Sequence, residues 1–343
     1  MAAKPSWTKL NEWSDIMKTR VLGRTGLKVS EMAMGGLFIS SFGSRYDEAR
    51  DAVKLAYERG VNFVDTAPGY FDSEDVLGKI ISEVGRPKIL STKFGGFPEP
   101  FRPKDPDCLK RSFESSLKKL GVDCIDLLLI HEPDRPAQYD WWDDLDEYTG
   151  PVMDVLGELK ASGAVKYIGL GGTTVTEMLP LVRTGKFDVL LTAFNYSLLW
   201  REAGAFLIPE AKAQNMGIIL GSPLQQGALS RRYDDVINAG ARWLSPHRQE
   251  QYKRLYKLLD ETGMDIVEMC MRFVVGNPDI SCVLTGSRSP RELEANVNAV
   301  EKGPLPGDIL RRLDEIAAVL PFRPFEEPFG LPFNGAYKGP GVA

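Results

Sequence analysis

The stretch VNFVDTAPGYFDSEDVLGKIISEVGRPKILSTK, residues 61–93, contains one strand–helix–strand unit and decides the predicted fold. A short apolar run ends at Asp65, an amphipathic segment follows at residues 73–84, and a second apolar run ends at Lys93. The apolar positions of the middle segment are spaced by three and four residues, which predicts a helix. Gly85 stands where a left-handed helix end is wanted. Strands that are apolar along their length are buried on both faces, so a parallel sheet is predicted.

The same unit recurs along the chain. Strands are predicted at residues 29–35, 62–65, 88–93, 125–131, 165–170, 189–194, 217–220 and 281–285. Helices are predicted at residues 47–59, 73–84, 106–120, 151–161, 176–183, 206–215, 249–261, 290–300 and 308–319. Eight strand–helix units predict an α/β protein with a single (β/α)8 TIM barrel, whose usual size is about 250 residues. An open doubly wound sheet is less favoured, because MGGLF at residues 34–38 lacks the glycine fingerprint that follows its first strand.

The chain divides into three predicted segments. These are an N-terminal extension at residues 1–19, the barrel domain at residues 20–320 and a C-terminal tail at residues 321–343. Gly23 and Gly26 predict a short hairpin that closes the bottom of the barrel. The tail is rich in Pro, Phe and Gly, so we expect a C-terminal extension that runs over the surface or over an opening.

The composition argues against several classes of protein. Of the 343 residues, 43% are hydrophobic and 26% are charged, which is typical of a soluble globular protein. The net charge of −5, without a basic stripe, argues against a nucleic-acid partner. The four cysteines form no CxxC pair and the chain has two histidines, so no metal site is expected. Without a long apolar run or a recognisable signal peptide, we expect no membrane partner and a cytoplasmic location.

Four polar residues stand at or just after predicted strand ends. They are Asp65, Tyr70, Lys93 and His131. The carboxyl ends of barrel strands form the reaction face, so these side chains are expected on one rim. A tyrosine has a pKa of about 10, and a neighbouring ammonium lowers that pKa towards the working range. The set predicts proton transfer to a carbonyl oxygen while hydride reaches the carbon, with the Asp65–Lys93 ion pair as support. The alternative for that pair alone is an ordinary ion pair at the rim.

Three motifs carry a resemblance to a known family. Residues 65–70, DTAPGY, with Ser73-Glu74 after them, resemble the signature of the aldo-keto reductase superfamily. Lys93 in STKF and His131 in LLIH match that family's further catalytic positions. The resemblance implies that Tyr70 is the acid and base, that the substrate is a small carbonyl compound or sugar, and that a nicotinamide cofactor binds without a Rossmann fold.

Two further motifs resemble the cofactor sites of that family. GSPLQQG at residues 221–227 resembles the pyrophosphate loop, and TGSR at residues 285–288 resembles the adenosine-phosphate site, with Asn296 as an adenine contact. Pairing of Arg288 with a 2′-phosphate would favour NADP(H) over NAD(H). The cofactor-binding residues that the resemblance implies are Gly35, Gly36, Asp65, Gly171, Asn195, Ser222, Leu224, Gly227, Gly286, Ser287, Arg288 and Asn296.

The chain departs from the usual family pattern at three cofactor positions. Gly171-Gly172 replaces a Ser-Asn pair, Ala193 replaces a glutamine, and Gly221 replaces the aromatic residue that stacks on the nicotinamide. These departures resemble the branch with sugar and pyridoxal dehydrogenases, which often oxidises with NAD. In the loop after the fourth strand, Trp141 and Trp142 are candidates for a substrate wall, since aromatic rings stack on sugar faces. The alternative is that these rings lie beneath an acidic surface loop.

Two other functions remain open at this point. A barrel hydrolase could use paired carboxylates such as Asp65 and Glu132, but it would leave Lys93 unexplained. A non-catalytic redox sensor subunit would bind NADPH tightly with negligible turnover. The residues do not decide between a monomer and a homo-oligomer.

Overall fold

The computed structural model describes residues 17–96, 99–240 and 244–322. Residues 1–16 of the predicted N-terminal extension lie outside this part of the chain, as do residues 323–343 of the predicted C-terminal tail.

The described residues form ten strands and twelve α-helices. The strands are β1 (Thr19–Val21), β2 (Lys28–Ser30), β3 (Met32–Gly35), β4 (Phe63–Asp65), β5 (Ile89–Phe94), β6 (Ile125–His131), β7 (Val165–Gly172), β8 (Val189–Ala193), β9 (Gly217–Gly221) and β10 (Cys282–Thr285). The helices are α1 (Tyr46–Glu58), α2 (Ser73–Val84), α3 (Pro106–Leu120), α4 (Pro151–Ala161), α5 (Val175–Arg183), α6 (Glu202–Ala205), α7 (Leu207–Ala213), α8 (Asp234–Ala239), α9 (Pro246–Thr262), α10 (Ile266–Val275), α11 (Pro290–Glu301) and α12 (Gly307–Ala317).

Eight of the strands close into one barrel in the order β10-β3-β4-β5-β6-β7-β8-β9, and every neighbouring pair is parallel. This confirms the predicted (β/α)8 TIM barrel. An apolar cluster that includes Phe63, Leu127, Val189 and Ile219 fills the interior. Alternate strand residues, such as Val64, join a larger core shared with the surrounding helices. The strands are therefore buried on both faces, as their continuous apolar runs predict.

Strands β1 and β2 pair antiparallel and form the predicted hairpin. Leu22 lies between these two strands, is fully buried and belongs to the interior cluster. The Arg24 amide donates to the Asn215 carbonyl, just before β9, over 2.6 Å. The Tyr167 hydroxyl, in β7, donates to the Thr25 carbonyl over 2.7 Å. The hairpin therefore covers the amino-terminal end of the barrel, opposite the predicted reaction face.

Several elements differ from the prediction. The strand predicted at residues 29–35 divides at Glu31, because β2 pairs with β1 whereas β3 pairs with β4 and β10. The helix predicted at residues 206–215 is α7, at Leu207–Ala213, and a separate short helix, α6, precedes it, because Phe206 between them has a φ of −129° that is not helical. Helices α6, α8 and α10 are not predicted at all. None of the helices within the described ranges is long and apolar enough to cross a membrane.

Candidate active site

The four predicted catalytic side chains meet at the carboxyl ends of adjacent strands. Asp65 and His131 are the last residues of β4 and β6, and Lys93 is the penultimate residue of β5. Tyr70 lies between β4 and α2, where its amide donates to the Ala67 carbonyl over 3.1 Å. The strand order therefore brings together residues that are up to 66 positions apart, Asp65 and His131 being the extremes.

Lys93 and Asp65 form a buried ion pair. Lys93 Nζ lies 2.6 Å from Asp65 Oδ2, and both side chains are 1% exposed. Lys93 Nζ also donates to the Thr66 carbonyl over 2.8 Å, and Ser91 Oγ donates to Asp65 Oδ1 over 2.8 Å. Both carboxylate oxygens of Asp65 are thus engaged. A hydrolase that used Asp65 with Glu132 would need a free carboxylate at the opening, so this arrangement does not support that alternative.

Tyr70 lies between the ion pair and His131. Lys93 Nζ is 4.6 Å from the centroid of the Tyr70 ring. The rings of Tyr70 and His131 meet edge to face, with centroids 5.4 Å apart and planes at 81°. A phenol, an ammonium and an imidazole therefore share one small volume, which suits proton transfer to a substrate oxygen.

The pKa of Tyr70 is raised, whereas the sequence predicts that Lys93 lowers it. Burial raises this pKa above its ordinary value, and although Lys93 acts to lower it, Asp65 and Glu132 add to the rise. The predicted lowering by Lys93 is therefore present but outweighed. Burial alone would lower the pKa of Lys93, but Asp65 and Tyr70 outweigh burial and raise it. At neutral pH the site therefore holds a phenol beside a charged ammonium.

His131 is neutral at physiological pH. Burial lowers its pKa well below the ordinary value, and the nearby charges of Lys93 and Arg135 act in the same direction. Its Nδ1 atom is buried and has no hydrogen-bond partner in the described part of the chain. A buried polar atom without a partner is costly, so this nitrogen is suited to a ligand group.

The loop after β9, the predicted pyrophosphate site, has an unusual backbone conformation. Ser222 and Gln225 have φ values of 54° and 51°, and left-handed backbone in residues other than glycine clusters at ligand-binding loops. The Gly227 amide donates to the Leu224 carbonyl over 3.0 Å. The side-chain Nε2 of Gln225 donates to the Phe194 carbonyl over 3.0 Å. The side-chain Oε1 of the same residue is buried and lacks a partner within the described residues. That orphaned acceptor fits a cofactor group with a donor.

The start of α11 is the predicted adenosine-phosphate site. Ser287 is fully buried and Gly286 is exposed, just before the helix begins at Pro290. A helix start carries a partial positive charge, but Pro290 has no amide proton and the Glu292 amide already donates to Ser289 Oγ over 3.4 Å. Asn296 Nδ2 donates to Thr285 Oγ1 over 2.9 Å and to Ser287 Oγ over 3.2 Å. The side chain that is predicted to contact adenine therefore braces the loop from within the protein.

Arg288, the predicted 2′-phosphate ligand, is already paired. It is 60% exposed, and Nη2 lies 2.6 Å from Glu292 Oε1, one helical turn away. Glu292 Oε2 also accepts from the Arg288 amide over 2.9 Å. Burial acts to raise the pKa of Glu292, but Arg288 holds it below its ordinary value. A negative charge therefore stands where the 2′-phosphate was predicted to bind.

Two predicted cofactor glycines at the end of β3 contact protein. A Cβ atom on Gly36 would lie 2.8 Å from the Asp65 carbonyl oxygen and from Ser73 Oγ. The Gly36 carbonyl accepts from Ser73 Oγ over 2.7 Å. Gly36 thus permits close packing beneath the site. A Cβ on Gly35 would contact the backbone of Thr285 at 3.4 Å, beside the predicted adenosine-phosphate loop.

The other two predicted contacts lie at the ends of β7 and β8. A Cβ on Gly171 would be 3.7 Å from Lys93 Cε, so this glycine lines the interior beside the ion pair. Asn195 is buried, and its amide donates to the Thr173 carbonyl over 3.0 Å. Asp134, which sequence reasoning missed, accepts from the Thr173 and Thr174 amides over 2.8 and 2.6 Å. Both side chains hold the loop that follows β7.

Trp141 and Trp142 do not present their rings to the opening. Trp141 is fully buried against Phe101 and Tyr139, with ring centroids 5.6 and 5.4 Å away. Trp142 is 6% exposed and meets the ring of Tyr148 edge to face. The predicted substrate wall is therefore corrected in favour of the alternative, aromatic rings packed beneath the loop.

Two supporting residues that were missed could have been found in the sequence. Ser91 lies two positions before Lys93, and alternate strand residues point to the same face. Glu292 lies four positions after Arg288, the spacing at which opposite charges pair on a helix. The contacts of Asp134 join two distant loops, and no local pattern reports them.

Comparison with known proteins gives consistent matches. The aldo/keto reductase family model matches residues 31–318. L-galactose dehydrogenase of Arabidopsis thaliana is 30% identical over 330 residues, 93% of this chain and 99% of that protein. A putative voltage-gated potassium channel subunit beta of Schizosaccharomyces pombe is 26% identical over 339 residues, 90% and 94% of the two chains. The holo form of AKR11C1 from Bacillus halodurans, a solved aldo-keto reductase, has a TM-score of 0.73 at 23% identity, covering 91% of this chain and 99% of that one. This last likeness shows the shared fold.

Proposed function

The chain belongs to the aldo/keto reductase family, and on that premise we propose that it interconverts a sugar hemiacetal and its lactone, with Tyr70 as acid and base. The class of the reaction is NAD(P)-dependent oxidoreduction of a carbonyl compound and its alcohol, so the protein is an enzyme. The observation that supports the role of Tyr70 is its position between Lys93 and His131. A bound nicotinamide supplies or accepts the hydride, and the side chains manage the proton.

In the reducing direction Tyr70 gives its proton to the substrate oxygen. Its raised pKa keeps the phenol protonated at neutral pH. Neutral His131 can donate to the same oxygen from one ring nitrogen, which orients the carbonyl. The Lys93–Asp65 pair is held by Ser91 and by the Thr66 carbonyl, so the ammonium stays fixed as the phenol loses its proton.

In the oxidising direction Tyr70 takes the hydroxyl proton as a phenolate. Lys93 Nζ stabilises that phenolate from its place over the ring. Oxidation of a hemiacetal breaks its C–H and O–H bonds, and the product is a lactone. The similarity to L-galactose dehydrogenase supports a sugar as the substrate class.

The first test is a screen of substrates with both cofactors. Aldoses, pyridoxal and small aldehydes are incubated with the oxidised and reduced forms of NAD and NADP, and cofactor absorbance is followed. We expect an aldose to be oxidised fastest, with a lactone detected as the product. Faster turnover of simple aldehydes than of every aldose would contradict the proposed substrate class.

The two directions should respond oppositely to pH. Oxidation needs the phenolate, so its kcat/KM should rise with pH by up to about tenfold per unit below the pKa of Tyr70. Reduction needs the phenol and should stay level through neutral pH, then fall. The charged groups that set this pKa are Lys93, Asp65 and Glu132. Profiles of kcat/KM in both directions test this expectation, and profiles that rise or fall together would contradict it.

We also propose that Arg288 and Glu292 set the preference between the cofactors in opposite senses. Arg288→Ala should weaken NADPH binding about tenfold and NADH binding little, because only NADPH carries a 2′-phosphate for the guanidinium. Glu292→Gln should tighten NADPH binding, because it removes a negative charge beside that phosphate. The preference for NADP(H) over NAD(H) thus depends on whether the Arg288 guanidinium leaves the Glu292 carboxylate and binds the 2′-phosphate instead.

Fluorescence titration with both reduced cofactors measures these changes. Arg291→Ala is the matched control, since Arg291 is an exposed arginine at the same helix start. Equal effects of Arg288→Ala on NADPH and NADH would reject the 2′-phosphate contact.

The second candidate function is a redox sensor subunit that binds NADPH and turns over little. The similarity to a putative potassium channel subunit beta favours it. Stopped-flow absorbance of the enzyme loaded with reduced cofactor separates the two functions. Rapid reoxidation by a carbonyl substrate supports the enzyme, whereas bound cofactor that stays reduced with the whole panel supports the sensor.

We propose a cytoplasmic setting for the reaction. Cys108, Cys124, Cys270 and Cys282 are all unpaired, and three of them are buried. Free thiols suit a reducing compartment. Fractionation of the source cells with an antibody against the protein tests this, and recovery outside the cytosolic fraction would contradict it.

A further inference from the structure

We propose that Glu74 is a positioning residue that sets the distance between Tyr70 and Lys93. The proposal rests on the proposed function of that site. Glu74 does not line the opening, since it is 2% exposed behind the strands. Its role would be to join the helix that follows the Tyr70 loop to the strand that carries Lys93.

The joining contact is a buried hydrogen bond. Thr92 Oγ1 donates to Glu74 Oε1 over 2.7 Å, and Thr92 is fully buried. Glu74 is the second residue of α2, and Thr92 directly precedes Lys93 in β5. Alternate residues of a strand point to opposite faces, so Thr92 faces the helices while Lys93 faces the barrel interior. One bond therefore connects the neighbour of Lys93 to the first turn of α2.

That first turn also anchors the loop of Tyr70. The Ser73 amide donates to the Tyr70 carbonyl over 2.9 Å. Ser73 Oγ lies 2.8 Å from Thr66 Oγ1 and donates to the Gly36 carbonyl over 2.7 Å. These bonds attach the loop to α2 and to the ends of β3 and β4. Two bonds reach across to β5: the Thr66 amide donates to the Ser91 carbonyl over 2.9 Å, and Thr92 donates to Glu74 in the first turn of α2.

The surroundings of the Glu74 carboxyl favour its neutral form. Burial raises its pKa, with the hydroxyls of Thr92 and Ser116 acting in the opposite direction. The charged groups that face it are Lys119, which lowers the pKa, and Asp75, which raises it. Glu74 Oε2 and Ser112 Oγ are both buried and have no hydrogen-bond partner in the described chain. A glutamine could keep the bond from Thr92 and place its amide at the position of Oε2.

Loss of this attachment should act on the chemistry through Lys93. If the start of α2 moves away from β5, Tyr70 moves away from the ammonium that lies 4.6 Å from its ring centroid. The Coulomb stabilisation of the phenolate falls with distance, so the pKa of Tyr70 rises further. Oxidation then loses rate and its pH profile moves to higher pH, while contacts with the cofactor loops stay unchanged.

The test uses Glu74→Ala, Thr92→Val and the double variant in the full chain. Each single variant should lower kcat for oxidation about tenfold, since small misplacements of reacting groups cost one to two orders of magnitude. The pH profile should move upward by about half a unit or more, and the cofactor Kd should change less than about twofold. The double variant should lose no more activity than either single one, because both remove the same bond.

Two further variants serve as controls. Glu74→Gln should keep the wild-type rate and pH profile that Glu74→Ala loses. Ser82→Ala, on the exposed face of α2, should leave both unchanged.

Two outcomes would overturn the proposal. If Glu74→Ala and Thr92→Val lower the Tm but leave kcat and the pH profile unchanged, the role of Glu74 is purely structural. Additive losses in the double variant would show that the two side chains act separately. If Glu74→Ala fails to fold, Thr92→Val still decides, because it retains the carboxyl.

A readout without turnover separates this proposal from the proposed function. The 13Cζ resonance of Tyr70, assigned by its loss in Tyr70→Phe, reports the surroundings of the phenol in the absence of substrate. We expect this resonance to move in both Glu74→Ala and Thr92→Val and to keep its wild-type position in Glu74→Gln. An unmoved resonance would reject the positioning role even if no substrate is found. A moved resonance in a protein that reduces no carbonyl compound would reject only the function.

Discussion

Tyr70→Phe is expected to lower kcat in both directions by about a thousandfold, because a positioned acid or base contributes about 10²–10⁴-fold. The ring of Phe can still pack edge to face against His131 and beneath Lys93, so the shape of the site is kept. What disappears is the hydroxyl that gives the proton in reduction and takes it in oxidation. Cofactor Kd should change less than about twofold, since the loss falls on the chemical step.

Single-turnover kinetics with pre-bound cofactor measures this loss directly. Tyr167→Phe is the matched control, because it removes the hydroxyl of a half-buried tyrosine at the opposite end of the barrel, where it donates to the Thr25 carbonyl. That control should cost about 1 kcal/mol of stability and leave kcat nearly unchanged. If Tyr70→Phe kept a kcat close to that of the control, the acid and base would have to be another group.

Lys93→Met is expected to lower kcat for oxidation about a hundredfold and to destabilise the fold by about 3–5 kcal/mol. The activity falls because the phenolate of Tyr70 loses its ammonium, so the pKa of Tyr70 rises and the oxidation profile moves to higher pH. The stability falls because Asp65 is left as a buried carboxylate with its Oδ2 unpaired. Thermal unfolding and pH–rate profiles measure the two effects independently.

A double variant separates the two roles of Lys93. Lys93→Met with Asp65→Asn removes both charges, and the asparagine can still accept from Ser91 Oγ. Replacing both members of a buried ion pair is often nearly neutral for stability. We expect the Tm to recover while kcat stays low. Recovery of activity together with stability would show that Lys93 serves the fold and not the chemistry.

Local signals predict those parts of the fold that depend on neighbouring residues. Helix α3 has the predicted bounds, because each boundary has a local cause. The Asp105 side chain accepts from the amides at its start, Pro106 occupies the first turn, and Gly121 ends the helix with a left-handed φ of 67°. Helix α10 is not predicted although the Asp265 side chain caps its start, because eight of its ten residues are apolar and such a run also suits a buried strand.

The candidate site likewise has one part that the sequence predicts and another that it does not. Asp65, Lys93 and His131 could be placed on one rim from the sequence, because a residue at a strand end has a known direction in a parallel barrel. The burial of Trp141 depends on rings from Phe101 and Tyr139, and no pattern local to that loop reports it. The pKa of Tyr70 could not be predicted either, because burial and Lys93 act in opposite directions and only the three-dimensional surroundings decide which prevails.

The hairpin beneath the barrel has a consequence for how such a protein can change over time. Leu22 fills the lower interior and the hairpin backbone is bonded to Asn215, just before β9, and to Tyr167 of β7, whereas the candidate chemistry lies at the opposite end. Mutations in the loops that follow the strands therefore leave the hairpin contacts intact. Selection can alter substrate specificity through these loops while the hairpin at the opposite end continues to stabilise the folded chain. The physical separation of the two ends makes new substrates accessible at little risk to folding.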